Sequence, residues 1–299
     1  MKRLVAKIVL FVAGIVIVDS LISGLLFRGL VKFTDLSMGA DILFVGHSHT
    51  QCAIDSSIVN ARLKGRAVTT KLAMHGMQLA DRLAFVNYYI NSSSKKPRCI
   101  VFDIDETVFS ADRQNLNTHT RFYPFMDDRY VRHYISEHSG SYEIIARRIL
   151  KTLRYNNSWI LVRALKGTVG VVDNMAPDRR LDRPENVPLI SAPVVFDGES
   201  ERLFLEFVEF AERNKISVIF AYYPRLLSNK VDISNRLRVR DRMQELLGNR
   251  EYLVLDYSDE FGRRCDVYSD VTHLNRNGQK LLSSRMAEEL ANLIETGAL

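Results

Sequence analysis

Residues 41–55 read DILFVGHSHTQCAID: an acid, four consecutive apolar residues, a glycine, and then a serine set between two histidines. A short apolar run bounded by a turn residue reads as a parallel strand buried on both faces, here Ile42 to Val45, and Gly46 permits a sharp turn at its carboxyl end. In open α/β sheets ligands sit outside that end of the strands. Ser48 is thereby presented to a crevice, and it is a candidate nucleophile provided a base reaches it. The plainer alternative is that Ser48 caps the following helix or satisfies a turn.

Outward from this stretch the chain alternates strand and helix. A helix opens at Asp55, whose side chain can cap SSIVNARL; a second strand, AVTTKLAM, ends at His75 and Gly76. Leu79, Leu83, Val86 and Ile90 then recur at helical spacing, and CIVFDID follows as a third strand. Residues 107–197 interrupt the alternation with helices around 130–137, 142–155 and 159–166 and a loop rich in proline and charge, DNMAPDRRLDRPENVP. Such a long connection reads as an insertion above the sheet, serving as a lid or binding surface. Its basic cluster, Arg147, Arg148, Lys151 and Arg154, reads as a solvated helix face. Alternation resumes with SERLFLEFVEFAERN, the strand ISVIFAYYP, a helix through Arg236 to Leu247, the strand EYLVLDYS, and a last helix, QKLLSSRMAEELANLI. Five strands with intervening helices predict an α/β fold, a three-layer α/β/α sandwich around a five-stranded parallel sheet.

The 299 residues carry 46% hydrophobic and 25% charged side chains, which excludes wholesale disorder. The formal charge of +6 suits an anionic membrane surface or an acidic polymer. Neither an RNP-type aromatic signature nor a zinc-finger spacing occurs, so nucleic acid is not an expected partner. Cys52, Cys99 and Cys265 are too few for a disulfide framework and read as buried free thiols. His47, His49 and His75 lack the carboxylate–histidine spacing of a metal site and read as surface histidines; no metal and no cofactor is expected.

The amino terminus has a basic start, Lys2 and Arg3, and an apolar stretch from Leu4 to Phe27 broken by Lys7 and Asp19. Its length meets the roughly 20 residues needed to cross a hydrocarbon layer. It reads as an uncleaved signal anchor in preference to a signal peptide, since no A-x-A cleavage site is present; a structural helix of the folded domain is the third possibility. The expected organisation is a membrane anchor over 1–34 followed by an α/β domain over 35–299 that carries the insertion. Lys2 and Arg3 would stay in the cytoplasm, with the catalytic domain on the periplasmic or extracellular side.

If Ser48 is a nucleophile it needs a histidine base, and the base needs an acid that fixes its tautomer. DVTHLNRNG supplies Asp270 and His273 on the loop after the final strand, at the same end of the sheet as Ser48. With Gly46-His47-Ser48 after the first strand, Gly76 after the second, and Asp270-x-x-His273 before the terminal helix, residues 41 to about 105 and 198 to 295 resemble the SGNH (GDSL-like) hydrolase superfamily. The resemblance implies a flavodoxin-like sheet, Ser48 as nucleophile, His273 as general base, Asp270 as its partner, and the backbone N–H groups of Ser48 and Gly76 as oxyanion donors. Two positions depart from it. His47 stands where the family commonly has Asp, and Asp105 stands where an asparagine normally donates to the oxyanion. An ionised carboxylate there would repel the developing charge, and one lost donor costs roughly 3 kcal/mol of transition-state stabilisation.

The expectation is therefore a membrane-tethered serine esterase or O-acyltransferase acting on an acylated carbohydrate or other envelope polymer, with a membrane acyl-donor protein as a possible partner. A rival lies in IVFDIDETVF, which resembles the first motif of haloacid dehalogenase-like phosphatases. It would make Asp103 a phosphoryl acceptor and Asp105 the acid/base around Mg²⁺. The strand VIFAYYP lacks that family's hydroxyl residue, and only Lys230 and the Asp256, Asp259 pair offer substitutes for the rest. A third reading is an inert envelope scaffold that binds glycan in the crevice.

Overall fold

β-Branched and aromatic runs flanked by polar turns form five strands: β1 (Ile42–Gly46), β2 (Thr69–Ala73), β3 (Cys99–Asp103), β4 (Ser217–Tyr222) and β5 (Leu253–Asp256). A computed structural model of the chain describes residues 1–34, 36, 38–110, 118–172, 176–181, 193–226, 230–262 and 264–299, with residues 230–232 described by backbone alone. The charged loop read over 173–188 thus lies outside the described residues except for 176–181. Helices, numbered along the whole chain, are α1 (Lys2–Phe33), α2 (Ser48–Ala53), α3 (Ser56–Leu63), α4 (Leu79–Ser92), α5 (Arg129–Ser136), α6 (Ser141–Ile149), α7 (Ser158–Thr168), α8 (Gly198–Arg213), α9 (Lys230–Leu247) and α10 (Arg276–Glu295). Two compact units divide the chain: Met1–Leu36 with Asn117–Asp173, and Ser37–Leu116 with Asn174–Leu299.

The larger unit holds the sheet, in the order β2-β1-β3-β4-β5, every neighbouring pair parallel. The chain leaves β1 for β2 on one side and returns to β3 on the other, so the order reverses between β1 and β3. That is the switch point at which open α/β sheets place their ligands. All five residues of β1 and of β3 are buried. Side chains alternate between faces: Ile42, Phe44, Val101, Ile219 and Ala221 share a core with Leu282, Met286 and Leu290 of α10. From the opposite face Phe102 meets Phe207 of α8 at 4.4 Å, and Phe220 meets Phe204 at 5.5 Å between ring centroids. The helices start where the sequence supplies caps. Asp55 accepts from Ser57 N at 2.9 Å, Asp197 from Ser200 N at 3.0 Å, and Asn275 from Asn277 N at 3.0 Å.

One start differs from expectation. Helical structure after β1 begins at Ser48, in α2, ahead of the helix that Asp55 caps. His47 is the cap of α2, its Nδ1 accepting from His49 N at 3.1 Å. None of the three cysteines is in a disulfide; Cys52 and Cys99 are buried as expected, Cys265 is only half-buried, and burial pushes the Cys99 thiol up to about 12.

The smaller unit packs α1 against α7. Gly29 and Gly167 bring the two backbones into contact: a Cβ on Gly167 would lie 1.8 Å from the Gly29 carbonyl oxygen. Asp19, which breaks the apolar stretch in sequence, accepts from the Lys151 N–H at 2.5 Å, the Thr152 N–H at 3.1 Å and the Thr152 hydroxyl. It thereby caps a 3-10 turn over Lys151–Tyr155. α1 is long and apolar enough to cross a membrane. The expectation of a solvated face for the basic cluster is corrected at two of its members. Arg147 is buried with its guanidinium 3.9 Å from the Tyr123 ring, and buried Arg154 makes two 2.8 Å bonds to Asp127. A planar fork that matches a carboxylate and stacks on a ring is well suited to burial.

Gly46 ties β1 to β3. A Cβ there would lie 1.9 Å from Thr50 Oγ1 and 2.6 Å from Asp103 Cβ, so any side chain forces the strand ends apart. Gly46→Ala is expected to lower stability by about 2 kcal/mol, the usual cost of overpacking a tight interior. Denaturant titration of the two proteins checks it, and an unchanged midpoint refutes the close approach.

Candidate active site

Ser48 stands at the first turn of α2, two residues past β1, and is largely buried. His273 reaches it from the far end of the chain. The loop that carries His273 is closed by an antiparallel bridge between Tyr268 and Leu274 and by a 2.9 Å bond from Ser269 N to the His273 carbonyl. Asp270 shapes this loop from within: its Oδ1 accepts from Thr272 N and His273 N, each at 2.8 Å, an Asx-type turn that any Asp favours. The same carboxylate receives His273 Nδ1–H at 2.9 Å on Oδ2. With Nδ1 protonated toward Asp270, Nε2 is left to accept from the Ser48 hydroxyl, and Ser48 Oγ lies 2.8 Å from it. Partial burial raises the Asp270 carboxyl, but the His273 ring and the two amides outweigh it and hold the group well below the usual carboxylate range. Three of the expected site residues, distant in sequence, are thus joined by one chain of hydrogen bonds.

Gly76 lies in a turn closed by Met77 N to the Met74 carbonyl at 3.2 Å, and its φ of 71° is the left-handed conformation that favours glycine. The neighbouring His75 ring sits 6.1 Å from that of His273, so the loop after β2 borders the same site.

Asp105 is buried with both oxygens engaged. Oδ2 accepts from His47 Nε2, and Oδ1 accepts from Thr107 N at 2.9 Å and the Thr107 hydroxyl at 2.8 Å. His47 bridges two elements, since its Nδ1 also accepts from His49 N. The expectation of surface histidines is corrected for two of three: His47 and His49 are 1% and 8% exposed, whereas His75 is exposed. Burial, then the neighbouring His47, holds the His49 imidazole well below its ordinary value, in the neutral form. Ligand atoms of His47, His49 and Asp103 lie within 4.8 Å of one another, a spacing that a metal could use. Both His47 nitrogens, however, already carry hydrogen bonds, one of them to a carboxylate.

Asp103 is fully buried at the end of β3, with Oδ2 accepting from Thr50 at 3.0 Å and its backbone carbonyl accepting from Arg82 at 2.8 Å. Burial pushes its carboxyl up. Burial also raises Asp105, but His47, through charge and hydrogen bond, then His49 and Arg82, hold Asp105 well below the ordinary value. Of the two, Asp105 is the carboxyl held toward its charged form, facing His47. A phosphoryl acceptor must be open to its substrate, and Asp103 is enclosed with no exposed surface and Oδ2 engaged by Thr50, which weighs against the phosphatase reading. Its proposed helpers are engaged elsewhere, Asp256 with Ser258 and Asp259 with Arg236; the Lys230 side chain lies outside the described residues.

Sequence reasoning read His49 as a surface histidine and gave it no place in the site, yet its ring lies edge-on to His273 with centroids 5.5 Å apart and it lines a small polar cleft with Glu106, Tyr223, Arg225 and Arg236. Its only signal was adjacency to Ser48.

No protein-family profile matches the chain, and no curated protein matches it in sequence. Solved structures do. An acetyl xylan esterase aligns at 12% identity over 83% of this chain and 98% of that one, TM-score 0.45. A family two carbohydrate esterase from Clostridium thermocellum, in complex with cellohexaose, aligns at 11% over 88% and 66%, TM-score 0.41. A family 3 carbohydrate esterase from Talaromyces cellulolyticus aligns at 12% over 85% and 98%, TM-score 0.38. At such identities and scores these likenesses bear on neither substrate nor residue roles. The sheet order, and where Gly46-His47-Ser48, Gly76 and Asp270-x-x-His273 fall on that sheet, are those that the sequence resemblance implies.

Proposed function

We propose that the chain is a serine esterase or O-acyltransferase that works through an acyl-enzyme on an acylated carbohydrate or related envelope polymer. The observation that carries this reading is the hydrogen-bond chain from Ser48 Oγ through the His273 ring to Asp270. A hydroxyl is a weak nucleophile until a base within hydrogen-bond reach takes its proton, and the base is stronger when a carboxylate stabilises its cationic form.

In the proposed reaction Ser48 Oγ bonds to the ester carbon as its proton passes to His273 Nε2. The carbonyl oxygen takes the electron pair and turns toward the backbone N–H groups of Ser48 and Gly76. The carbon–oxygen bond to the sugar then breaks, and His273 returns the proton to the departing alkoxide. Water or a second sugar hydroxyl repeats the sequence on the acyl-enzyme, giving hydrolysis or transfer. Asp105 enters as a companion of His47 and not as an oxyanion donor. Both of its oxygens are engaged, by His47 Nε2 and by Thr107, and accept rather than donate. We place the catalytic unit outside the cytoplasm, tethered by α1, with Lys2 and Arg3 on the inner side. The carbohydrate class of the substrate follows from the SGNH resemblance.

A fluorophosphonate probe is expected to label the full chain and not Ser48→Ala. Asp270→Asn should lower kcat/KM on p-nitrophenyl acetate by about 10³–10⁴-fold, because the wrong tautomer then faces the serine. Unlabelled wild-type protein that still binds glycan would favour the scaffold reading.

A second expectation concerns the buried pair. Asp105→Asn and His47→Asn should each cost about 3 kcal/mol, and the double variant less than their sum, because either single change strands a buried polar partner. Asp105 has its value lowered in the folded state, so its stabilisation is complete above about pH 4 and is lost as pH falls through the folded-state value. The acid limb of the stability profile should therefore be shallower in Asp105→Asn than in wild type; parallel limbs in denaturant titrations across pH would refute the charge assignment.

A further inference from the structure

We infer that α6 and the 3-10 turn after it form a second membrane contact, an amphipathic face that lies in the lipid interface beside the point where α1 leaves the bilayer. The inference rests on the proposed crossing of the membrane by α1. Residues 1–18 of α1 are exposed all round except for Val16, whereas from Asp19 onward one side is covered by its own unit. The uncovered side stays apolar past that point: Leu21, Ile22 and Leu25 are 66%, 47% and 60% exposed. Hydrocarbon that covers them extends about 9 Å beyond Asp19, at 1.5 Å of rise per residue. Asp19 is bonded to the backbone of Lys151 and Thr152, so that segment is fixed at the same level.

The surface presented there is apolar too. Tyr142, Ile145 and Ile149 recur at spacings of three and four on one side of α6 and are 91%, 52% and 57% exposed, and Leu153 in the 3-10 turn that follows is 40% exposed. Arg147 on the same helix turns inward to Tyr123, leaving Arg148 exposed and Lys151 half-buried beside the apolar stripe. An amphipathic helix with basic neighbours sits about 5–10 Å into the boundary between headgroups and acyl chains, and its cations favour anionic lipid. That depth matches the length of apolar surface α1 exposes beyond Asp19. A bilayer is therefore the occupant that continuity and charge select over a protein partner.

The test uses the full chain in vesicles of phosphatidylcholine and phosphatidylglycerol, with bromine either near the glycerol end or near the methyl end of the acyl chains. The chain has one tryptophan, so a Trp159→Phe background accepts single reporters: Ile149→Trp and Leu153→Trp on the proposed face, Ile15→Trp in α1, and Glu206→Trp on the larger unit as the aqueous control. Both face reporters should lose most of their emission to shallow bromine and less to deep bromine. Ile15→Trp should be quenched and Glu206→Trp should not. Quenching at Ile15→Trp with none at either face reporter overturns the interface and leaves the crossing intact. A blue-shifted but unquenched signal at the face means a protein covers it and overturns the lipid assignment. An unquenched Ile15→Trp removes the crossing itself, and the interface with it.

Discussion

Two backbone carbonyls at the end of α2, those of Gln51 and Ile54, have to find donors in the interior, and how they do so holds the site together. Unpaired buried carbonyls are costly. The Lys71 ammonium from β2 donates to both, at 3.1 and 2.7 Å, and the Gln279 side-chain amide from α10 donates to both, at 3.0 and 3.1 Å. One helical turn further along α10, Ser283 Oγ accepts from Asp55 N at 2.8 Å. The helix that begins at Ser48 is thereby fastened to the helix that begins three residues after His273. A 2.8 Å contact between side chains 225 positions apart needs such a frame, because loops alone would let the two ends drift.

The same frame accounts for the two departures from the SGNH pattern. His47 and Asp105 are each unusual alone, and a lone buried carboxylate beside a forming oxyanion would be unfavourable. Together they are a hydrogen-bonded pair at the switch point between β1 and β3, each supplying what the other needs. Asp103, enclosed next to them by the tight turn at Gly46, has its carboxyl pushed up by burial, whereas Asp105 is held down by His47.

The strands were legible because a parallel strand buried on both faces leaves an unbroken apolar run, as in Ile42 to Val45 and Cys99 to Phe102. Ser48, Asp270 and His273 were legible because their order along the chain and their places after strands carry topological information. α2 was not: six residues give too little periodicity to distinguish a helix from a turn. The burial of His47, His49, Arg147 and Arg154 was not legible either. Polar residues are exposed by default, and what overrides the default is a partner far away in sequence: Asp105 is 58 positions from His47, and Asp127 is 27 from Arg154. Asp19 illustrates the limit most clearly. In sequence it is a blemish in an apolar stretch; its partner, a helix start 133 residues later, is supplied only by the fold.

That blemish divides α1 into two stretches with different surroundings. From Ile8 to Val18 the residues are apolar on every side, a composition that calls for a protein interior or lipid around it. Behind it the buried positions 19, 23, 26, 30 and 33 recur at steps of four and three, the stripe of a helix with one packed face. The packed half closes on α7 through Gly29 and Gly167, backbone against backbone, a device that works in lipid as in water because it depends on dispersion and not on displaced solvent. A continuous backbone therefore joins the all-apolar stretch to the packed one without a loop, and Asp19 sits at the junction bonded to three donors of its own unit.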